Sequence, residues 1–250
     1  MSPKELKKQE MAVSEADSLK NVIERKNWLK SINYGFQEVK ILEGNIGYLD
    51  LRRFSNPEDA GGTADAIIEF LRNTNAIIID IRRNGGGTPK MVQWIISYFM
   101  EGETFLLNTF YKRQGDFKKQ FWTIPHPNNK RLPKTKLYIL TSKRTFSAAE
   151  EFAYDLKHLK RATIIGEQTG GGAHPGGRIM ASLNYNVWTP TARAINPITK
   201  TNWEGIGVVP DIKINADDAL DIAYIKSLED LKQEKDCAKY DKIIENLKKD

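Results

Sequence analysis

The chain has 250 residues, of which 40% are hydrophobic and 28% charged, and its 38 Lys and Arg against 32 Asp and Glu give a net charge of +6. This length and composition are typical of a globular protein with one large domain or two small ones. Since there is no apolar run of 18 residues and no apolar segment near the charged N-terminus, we expect neither a transmembrane helix nor a signal peptide.

Cysteine content and charge distribution narrow the classes of function. The single cysteine, Cys237, leaves no partner for an internal disulfide and no multi-cysteine metal site, and it fits a reducing or an oxidising compartment. The basic residues are mixed with acids and form no compact stripe with interleaved aromatic side chains. This distribution favours a solvated surface, so we expect no nucleic-acid partner.

Strands and helices alternate along the chain. The run AIIIDI (76–81) is apolar without alternation, which is typical of a strand buried on both faces of a parallel sheet. Such strands between amphipathic helices predict an α/β fold with short crossovers. The predicted helices cover 5–32, 63–73, a segment that starts from a Thr88 cap with Pro89 in its first turn, 148–159, 217–231 and 235–248. The predicted strands lie at 46–49, 76–81, 137–140 and 162–167, with β-like segments near 178–188 and 206–214, and 102–136 is expected to be irregular.

Ser147 stands between a short apolar run and a predicted helix, in the stretch TFSAAEEF. Ser147 and Glu150 have the spacing of a capping box, in which each side chain accepts a hydrogen bond from the other residue's amide. The position also suits a nucleophile, because free amides of the first helical turn, that of Ala148 included, can face the hydroxyl and a developing oxyanion. The surrounding sequence is not a G-x-S-x-G elbow. Pattern alone leaves both roles open.

Three consecutive glycines, Gly85–Gly87, follow the buried strand in DIRRNGGG. They permit left-handed backbone and close approach of a ligand. One interpretation is a tight turn between strand and helix, and the other is an amide that points into a site as an oxyanion donor. Neither a P-loop nor a G-x-G-x-x-G motif is present, so we expect no phosphate loop.

The candidate bases are few, because the chain has three histidines. His126 in an extended loop and His158 on a lysine-rich helix face are poor candidates, whereas His174 lies in the glycine-rich loop TGGGAHPGG. No histidine has the spacing of a metal-binding motif, so no metal ion is expected. Glu204, in TNWEGIGVVPD, is either an ordinary exposed acid or a carboxylate that orients a site.

Four stretches occur in one order: GYLDLRRF, IIIDIRRNGGG, YILTSKRTFSAAEEFAYDLKHLKRATIIGEQTGGG and NWEGIGVVPD. Together they resemble the C-terminal processing (tail-specific) serine peptidases, and within that family the branch of the tricorn core protease and the interphotoreceptor retinoid-binding protein modules. The resemblance implies a crotonase/Clp-protease-like core of stacked ββα units over 36–225. On this expectation, residues 1–35 are a helical segment that ends a truncated subdomain, and residues 226–250 form a C-terminal helix.

The same resemblance implies roles for individual residues. Ser147 falls on the nucleophile position, and the amides of Ala148 and Gly86 become the expected oxyanion hole. Gly85 and Gly87 are expected to contact the substrate. Glu204 matches a catalytic glutamate of the tricorn-like branch. No cofactor is implied.

The resemblance leaves the general base open. Processing peptidases carry a lysine in a T-x-G-K-G-like motif, and the matching position here is Gly172, so the Ser/Lys dyad is absent. The tricorn-like branch uses a histidine from the N-terminal side of the core, and no histidine precedes His126. Three alternatives follow: the chain is a fragment that lacks its base and is nearly inactive alone, His174 substitutes, or the protein is not a peptidase.

We therefore expect a serine peptidase that acts on proteins or peptides. The alternative is a non-catalytic module for an apolar ligand such as a retinoid or fatty acid, with the aromatic-rich region 98–122 lining its pocket. Serine at position 147 favours the enzyme, and a structural protein with a coincidental capping box would leave Gly85–Gly87 and NWEG unexplained. Full-length bacterial relatives are often exported, but no export signal is present, so the compartment stays open. The oligomeric state stays open too, a homo-oligomer included.

Overall fold

The structure is a computed structural model that describes residues 19–112, 118–125, 131–182, 185–234 and 238–248. The helices are α1 (19–31), α2 (Pro57–Leu71), α3 (Pro89–Tyr98), α4 (Ala148–His158), α5 (Ala219–Glu234) and α6 (Ala238–Leu247), with a 3-10 turn at Asn33–Gly35. The strands are β1 (Phe36–Leu42), β2 (Ile46–Leu51), β3 (Ala76–Asp80), β4 (Leu106–Lys112), β5 (Lys118–Trp122), β6 (Lys136–Thr141), β7 (Thr163–Gly166), β8 (Gly176–Ser182), β9 (Tyr185–Pro190), β10 (Ala192–Ile195) and β11 (Ile212–Lys213).

A six-stranded sheet in the order β1-β2-β3-β6-β7-β11 forms the centre of the fold. Its strands are parallel from β2 to β11, and β1 pairs antiparallel with β2 at one edge. All five residues of β3 are buried, as the unbroken apolar run predicts for a central strand covered on both faces. The loops that follow the parallel strands β3 and β6 therefore meet at the same edge of the sheet.

Helices cover both faces of this sheet. One face packs against α2, α3 and α4, and its core includes Leu49, Ile79 and Phe152. The other face packs against α5 and α6, and its core includes Ile78 and Tyr138. The alternation of β3 residues between the two cores follows from the two-residue repeat of a strand. The expected α/β class is confirmed.

Two smaller β structures complete the fold. Strands β10, β4 and β5 form an antiparallel sheet, and β8 and β9 form a separate hairpin. The hairpin carries exposed apolar side chains, and Tyr185 and Met180 are 72% and 69% exposed. The prediction that 102–136 is irregular was wrong for β4 and β5, and β1 and β10 were not predicted.

The start of α2 also differs from the prediction. The helix begins at Pro57, six residues before the expected start at Thr63. Pro57 suits the first turn, where no amide partner is needed, and acids at 58 and 59 favour the positive end of the helix dipole. A Cβ at Gly61 would lie 3.4 Å from the indole of Trp94 in α3, which is an ordinary contact distance, so the helix does not require glycine there. The GG pair inside SNPEDAGG is therefore part of a helix here and not of a loop.

The predicted helix over 5–32 is observed over 19–31, and its first part lies outside the described residues. His126, Cys237 and Phe117 of the aromatic-rich region also lie outside them. Within the described part of the chain, no helix combines the length and apolar content needed to cross a bilayer. The same residues contain no group of three or more His, Cys, Asp or Glu side chains placed to hold a metal ion.

Candidate active site

Ser147 lies where the loop after β6 enters α4. Its backbone has φ 56° and ψ −124°, a combination that L-residues adopt only under strain. Strained backbone at a half-buried serine is a known mark of functional sites. The capping box with Glu150 is present, and the Ser147 amide donates to Glu150 Oε2 at 2.8 Å.

Glu150 joins the serine to the glycine-rich loop. Its carboxylate is fully buried and accepts from the Thr169 hydroxyl at 2.5 Å, the Gly171 amide at 2.6 Å and the Gly172 amide at 2.8 Å, besides the Ser147 amide. Bonds from N–H and O–H groups to an ionised carboxylate are among the stronger hydrogen bonds in proteins. Glu150 thus fixes the serine loop and residues 169–172 in one arrangement.

The loop after β3 lies directly against the serine. A Cβ on Gly86, whose φ is 106°, would lie 2.8 Å from the Ser147 Cβ, so only glycine fits without displacing the serine. The Gly86 amide donates to Asn84 Oδ1 at 2.9 Å and is engaged inside the protein. Within the described residues, the amides of Gly87 and Ala148 donate to no protein acceptor.

Asn84 explains why this loop is so close. Asn84 is completely buried, and its side-chain NH₂ donates to the Leu51 carbonyl at 2.9 Å. Its backbone carbonyl accepts from the Phe146 amide at 3.1 Å. Asn84 therefore ties the end of β2 and the residue before Ser147 to the glycine turn.

The segment NWEG holds the other side of the glycine-rich loop. Trp203 Nε1 donates to the Gly172 carbonyl at 3.1 Å, and Glu204 Oε2 accepts from the Ala173 and His174 amides at 2.7 and 3.0 Å. Glu204 Oε1 lies 3.8 Å from His174 Nδ1, and the two side chains are 41% and 27% exposed. The structure therefore brings the side chains of His174 and Glu204 close together, at a separation longer than a hydrogen bond.

One cavity of about 210 Å³ connects these parts. Gly87, Ser147, Ala148 and His174 all line it, whereas Gly85 and Gly86 do not. The other lining residues are Pro89, Phe110, Glu151, Gly172, Ala173, Pro175, Gly176, Trp188 and Trp203.

The position that matches the family's lysine has no room for a side chain. A Cβ on Gly172 would collide with the ring of Phe146, which occupies the space beside the glycine-rich loop. In this arrangement the ring of Phe146, which is 46% exposed, occupies the place of a side chain at position 172, and His174 is the basic residue that lines the cavity.

Two further carboxyls, Glu151 and Asp155, lie one helical turn apart on α4. Both are buried, and desolvation raises the pKa of Glu151 to about 7 and that of Asp155 well above its ordinary value. The nearby Glu151 carboxylate raises the pKa of Asp155 further. Each acid accepts one amide donor, from Asn108 at 3.1 Å and from Asn196 at 2.9 Å respectively.

Sequence reasoning did not identify Asn84 or Glu151, and it gave Glu150 a capping role alone. Their spacing of four residues places Glu151 and Asp155 on one helical face, but spacing alone does not indicate that the two acids are buried. No local signal marks Asn84. His158 packs on the Tyr154 ring at the other end of α4, with 4.3 Å between ring centroids, and does not line the cavity.

Comparison with known proteins places these observations in a family. The family model described as Peptidase family S41 matches residues 45–214. The carboxy-terminal processing protease CtpB of Bacillus subtilis is 25% identical over 197 residues, which cover 78% of this chain and 39% of CtpB. The chloroplastic carboxyl-terminal-processing peptidase 2 of Arabidopsis thaliana is 29% identical over 177 residues, which cover 66% of this chain and 31% of that protein.

The solved structures agree on the fold. A photosystem II D1 C-terminal processing protease matches with a TM-score of 0.55 and 25% identity, covering 70% of this chain and 45% of that one. The expected crotonase/Clp-protease-like fold is confirmed. The chain spans 31–45% of the length of these relatives.

Proposed function

The chain belongs to peptidase family S41, and on that premise we propose that it is a serine-type peptidase that hydrolyses peptide bonds in proteins or peptides. The observation that carries this proposal is a cavity lined by Ser147, His174 and the amides of Gly87 and Ala148, which have no acceptor among the described residues, with Glu204 beside the histidine. A serine hydroxyl needs a base and an oxyanion site before it can act as a nucleophile, and this cavity holds candidates for both.

The base in this proposal is His174. Because Nδ1 faces Glu204, Nε2 is the nitrogen that accepts the Ser147 proton. Of the three alternatives for the base, the shared cavity supports substitution by His174. Glu204 orients the ring and stabilises the imidazolium that forms, while its other oxygen holds the loop through the Ala173 and His174 amides.

The oxyanion donors are the amides of Ala148 and Gly87. The first belongs to the free N–H groups at the start of α4, where the helix dipole also favours negative charge. We replace Gly86 by Gly87 as the second donor, because the Gly86 amide is bonded to Asn84 and only Gly87 lines the cavity. Gly86 instead provides the space in which Ser147 sits.

The reaction follows from these roles. Ser147 Oγ forms a bond to the substrate carbonyl carbon while its proton passes to His174, and the two amides stabilise the tetrahedral oxyanion. The C–N bond then breaks as His174 returns the proton to the leaving amine. Water attacks the acyl-enzyme with His174 again as base, which releases the acid and restores the serine.

No comparison supports the alternative of an apolar-ligand carrier. The cavity beside Phe110 measures about 210 Å³, which is smaller than the range of roughly 300–1,000 Å³ that is usual for small-molecule sites. It is also lined by the buried Glu151, whose Oε2, unlike the Oε1 bonded to Asn108, an apolar ligand would leave without a partner.

Hydrolysis of quenched fluorescent peptides tests the proposal. We expect Ser147→Ala and His174→Ala to lower kcat/KM by a factor of about 10²–10⁴, because each removes a member of the proton-transfer pair. His158→Ala is the matched control, since it removes a histidine of the same helix region that does not line the cavity, and it leaves the rate unchanged. Full activity in Ser147→Ala refutes the proposal.

A further inference from the structure

Glu151 is a buried acid that faces the proposed active site. It lies four residues after Ser147 on α4, its side chain lines the same cavity, and the residue is 3% exposed. Its carboxylate accepts one hydrogen bond, from Asn108, and no Lys, Arg or His in the described part of the chain forms an ion pair with it.

The two oxygens of this carboxylate differ. Oε1 accepts from Asn108, whereas Oε2 makes no hydrogen bond within the described residues. Among the described residues, the fully buried side-chain nitrogen and oxygen atoms that lack a hydrogen-bond partner are Asn56 Oδ1 and Asp155 Oδ2. Glu151 Oε2 also lacks a partner but is not one of these buried atoms, so part of its surface is accessible. An oxygen of a cavity-lining residue that is neither bonded nor enclosed is available to a ligand.

An acid in this setting lacks a counter-charge. Ionised carboxylates are rarely buried unless a cation or several donors compensate the lost hydration. Glu150, one residue earlier, has four donors, and Glu151 has one. Asp155, the next acid along the helix, repels the Glu151 carboxylate when both are ionised and so does not compensate its charge.

The rest of the cavity suits the stem of a long basic side chain. Phe110, Trp188, Trp203 and Pro89 supply aromatic and apolar surface around Glu151. Lys and Arg pack their methylene stems on such surface while the charged head reaches a polar group. Aromatic faces also attract the cation itself.

We propose that Glu151 selects substrates with a lysine or arginine side chain at the residue whose carbonyl Ser147 attacks. The bound cation donates to Glu151 Oε2, and its stem lies against the aromatic walls. The proposal rests on the proposed function, because it takes the cavity beside Ser147 as the place where the substrate binds. It adds the charge of the substrate, which the peptidase assignment leaves open.

Two fluorogenic peptides that differ only at this residue test the proposal. One carries lysine and the other norleucine, which is lysine without its ammonium group. We expect kcat/KM to be about 10- to 100-fold higher for the lysine peptide, because a hydrogen bond between charged partners is added. Glu151→Gln brings the ratio close to one. Asp155→Asn, in the same buried group but outside the cavity lining, retains the lysine preference.

A second measurement uses the unaltered protein, so it holds even if Glu151→Gln does not fold. Butylammonium, the lysine side chain alone, competes with hydrolysis of the norleucine peptide, and butanol at the same concentration does not. Equal rates for the two peptides, or a lysine preference that survives in Glu151→Gln, overturns the proposal while leaving the peptidase intact. If neither peptide is hydrolysed, the proposed function fails and the substrate assignment fails with it.

Discussion

The Ser147 amide and the Glu150 carboxylate are joined at 2.8 Å across the first turn of α4. The same carboxylate accepts from Thr169, Gly171 and Gly172, so the proposed nucleophile and the loop that leads to His174 share one buried acceptor. The position of the serine therefore depends on Glu150 as much as on the strand and helix around it.

Replacing Glu150 with glutamine is expected to disrupt this arrangement. An amide NH₂ in place of one oxygen faces two N–H or O–H donors that have lost their acceptor, and each unsatisfied buried donor costs about 1–3 kcal/mol. We expect the free energy of unfolding to fall by roughly 2–4 kcal/mol, measured by urea denaturation at pH 8. The matched control is Glu151→Gln, which leaves no second donor without an acceptor and removes a buried ionisable carboxyl, so at pH 8 it is not expected to lower the free energy of unfolding. Equal losses in the two variants would contradict this role for Glu150.

Gly86 has no space for a side chain, whereas the adjacent Gly85 does. At Gly86 a methyl group meets the Ser147 Cβ at 2.8 Å and φ is 106°, whereas at Gly85 nothing lies within 4 Å. Alanine at Gly86 is expected to lower the free energy of unfolding by about 1–3 kcal/mol. Gly85→Ala changes it by well under ~1 kcal/mol. Thermal or urea unfolding of the two variants measures the difference in stability. If the Gly86→Ala protein is as stable as the Gly85→Ala protein, the close packing of Gly86 against Ser147 is contradicted.

The carboxyls of Glu151 and Asp155 make stability depend on pH. Their pKa values are raised in the folded chain. Between the ordinary value near 4 and the raised value, the folded state therefore binds more protons than the unfolded state. Their ionisation thus lowers the stability as the pH rises through about 4 to 7 and beyond, and the penalty is absent below pH 4.

Asp155→Asn is expected to flatten this dependence. The variant keeps an oxygen for Asn196, removes one buried acid and relieves Glu151 of its like-charged neighbour. Its loss of stability between pH 5 and pH 8, measured by urea denaturation, should be smaller than that of the unaltered protein by about 1–3 kcal/mol. Glu103→Gln is the control, because it neutralises an exposed acid. An unchanged slope in Asp155→Asn would mean that folding does not raise the pKa of Asp155.

The sequence predicted the central fold because the strongest local signals lie there. The apolar run of β3, the Thr88 cap with Pro89 and the capping box at Ser147 each depend on neighbouring residues alone. Strands β4 and β5 mix polar and aromatic residues and pair with each other as neighbours in the chain, whereas β10 pairs with β4 from 80 or more residues away. The mixed composition hides the local pairing, and single-sequence periodicity does not contain the distant one.

The site divides in the same way. Ser147, Ala148, His174 and Glu204 were predicted, either from pattern or from resemblance to the family. The choice among three consecutive glycines was not predictable, because it depends on Asn84 taking the Gly86 amide. The role of Glu150 was not predictable either, since its donors at Gly171 and Gly172 come 21 and 22 residues later in the chain.

Labelling with a fluorophosphonate tests the central claim most directly, because the reagent forms a covalent bond to an activated serine without requiring knowledge of the substrate. We expect mass spectrometry to place one label on Ser147, with labelling abolished in Ser147→Ala and slowed at least tenfold in His174→Ala. His158→Ala labels at the unaltered rate. A folded protein that takes up no label, or takes it up on another residue with Ser147 unmodified, would contradict the account.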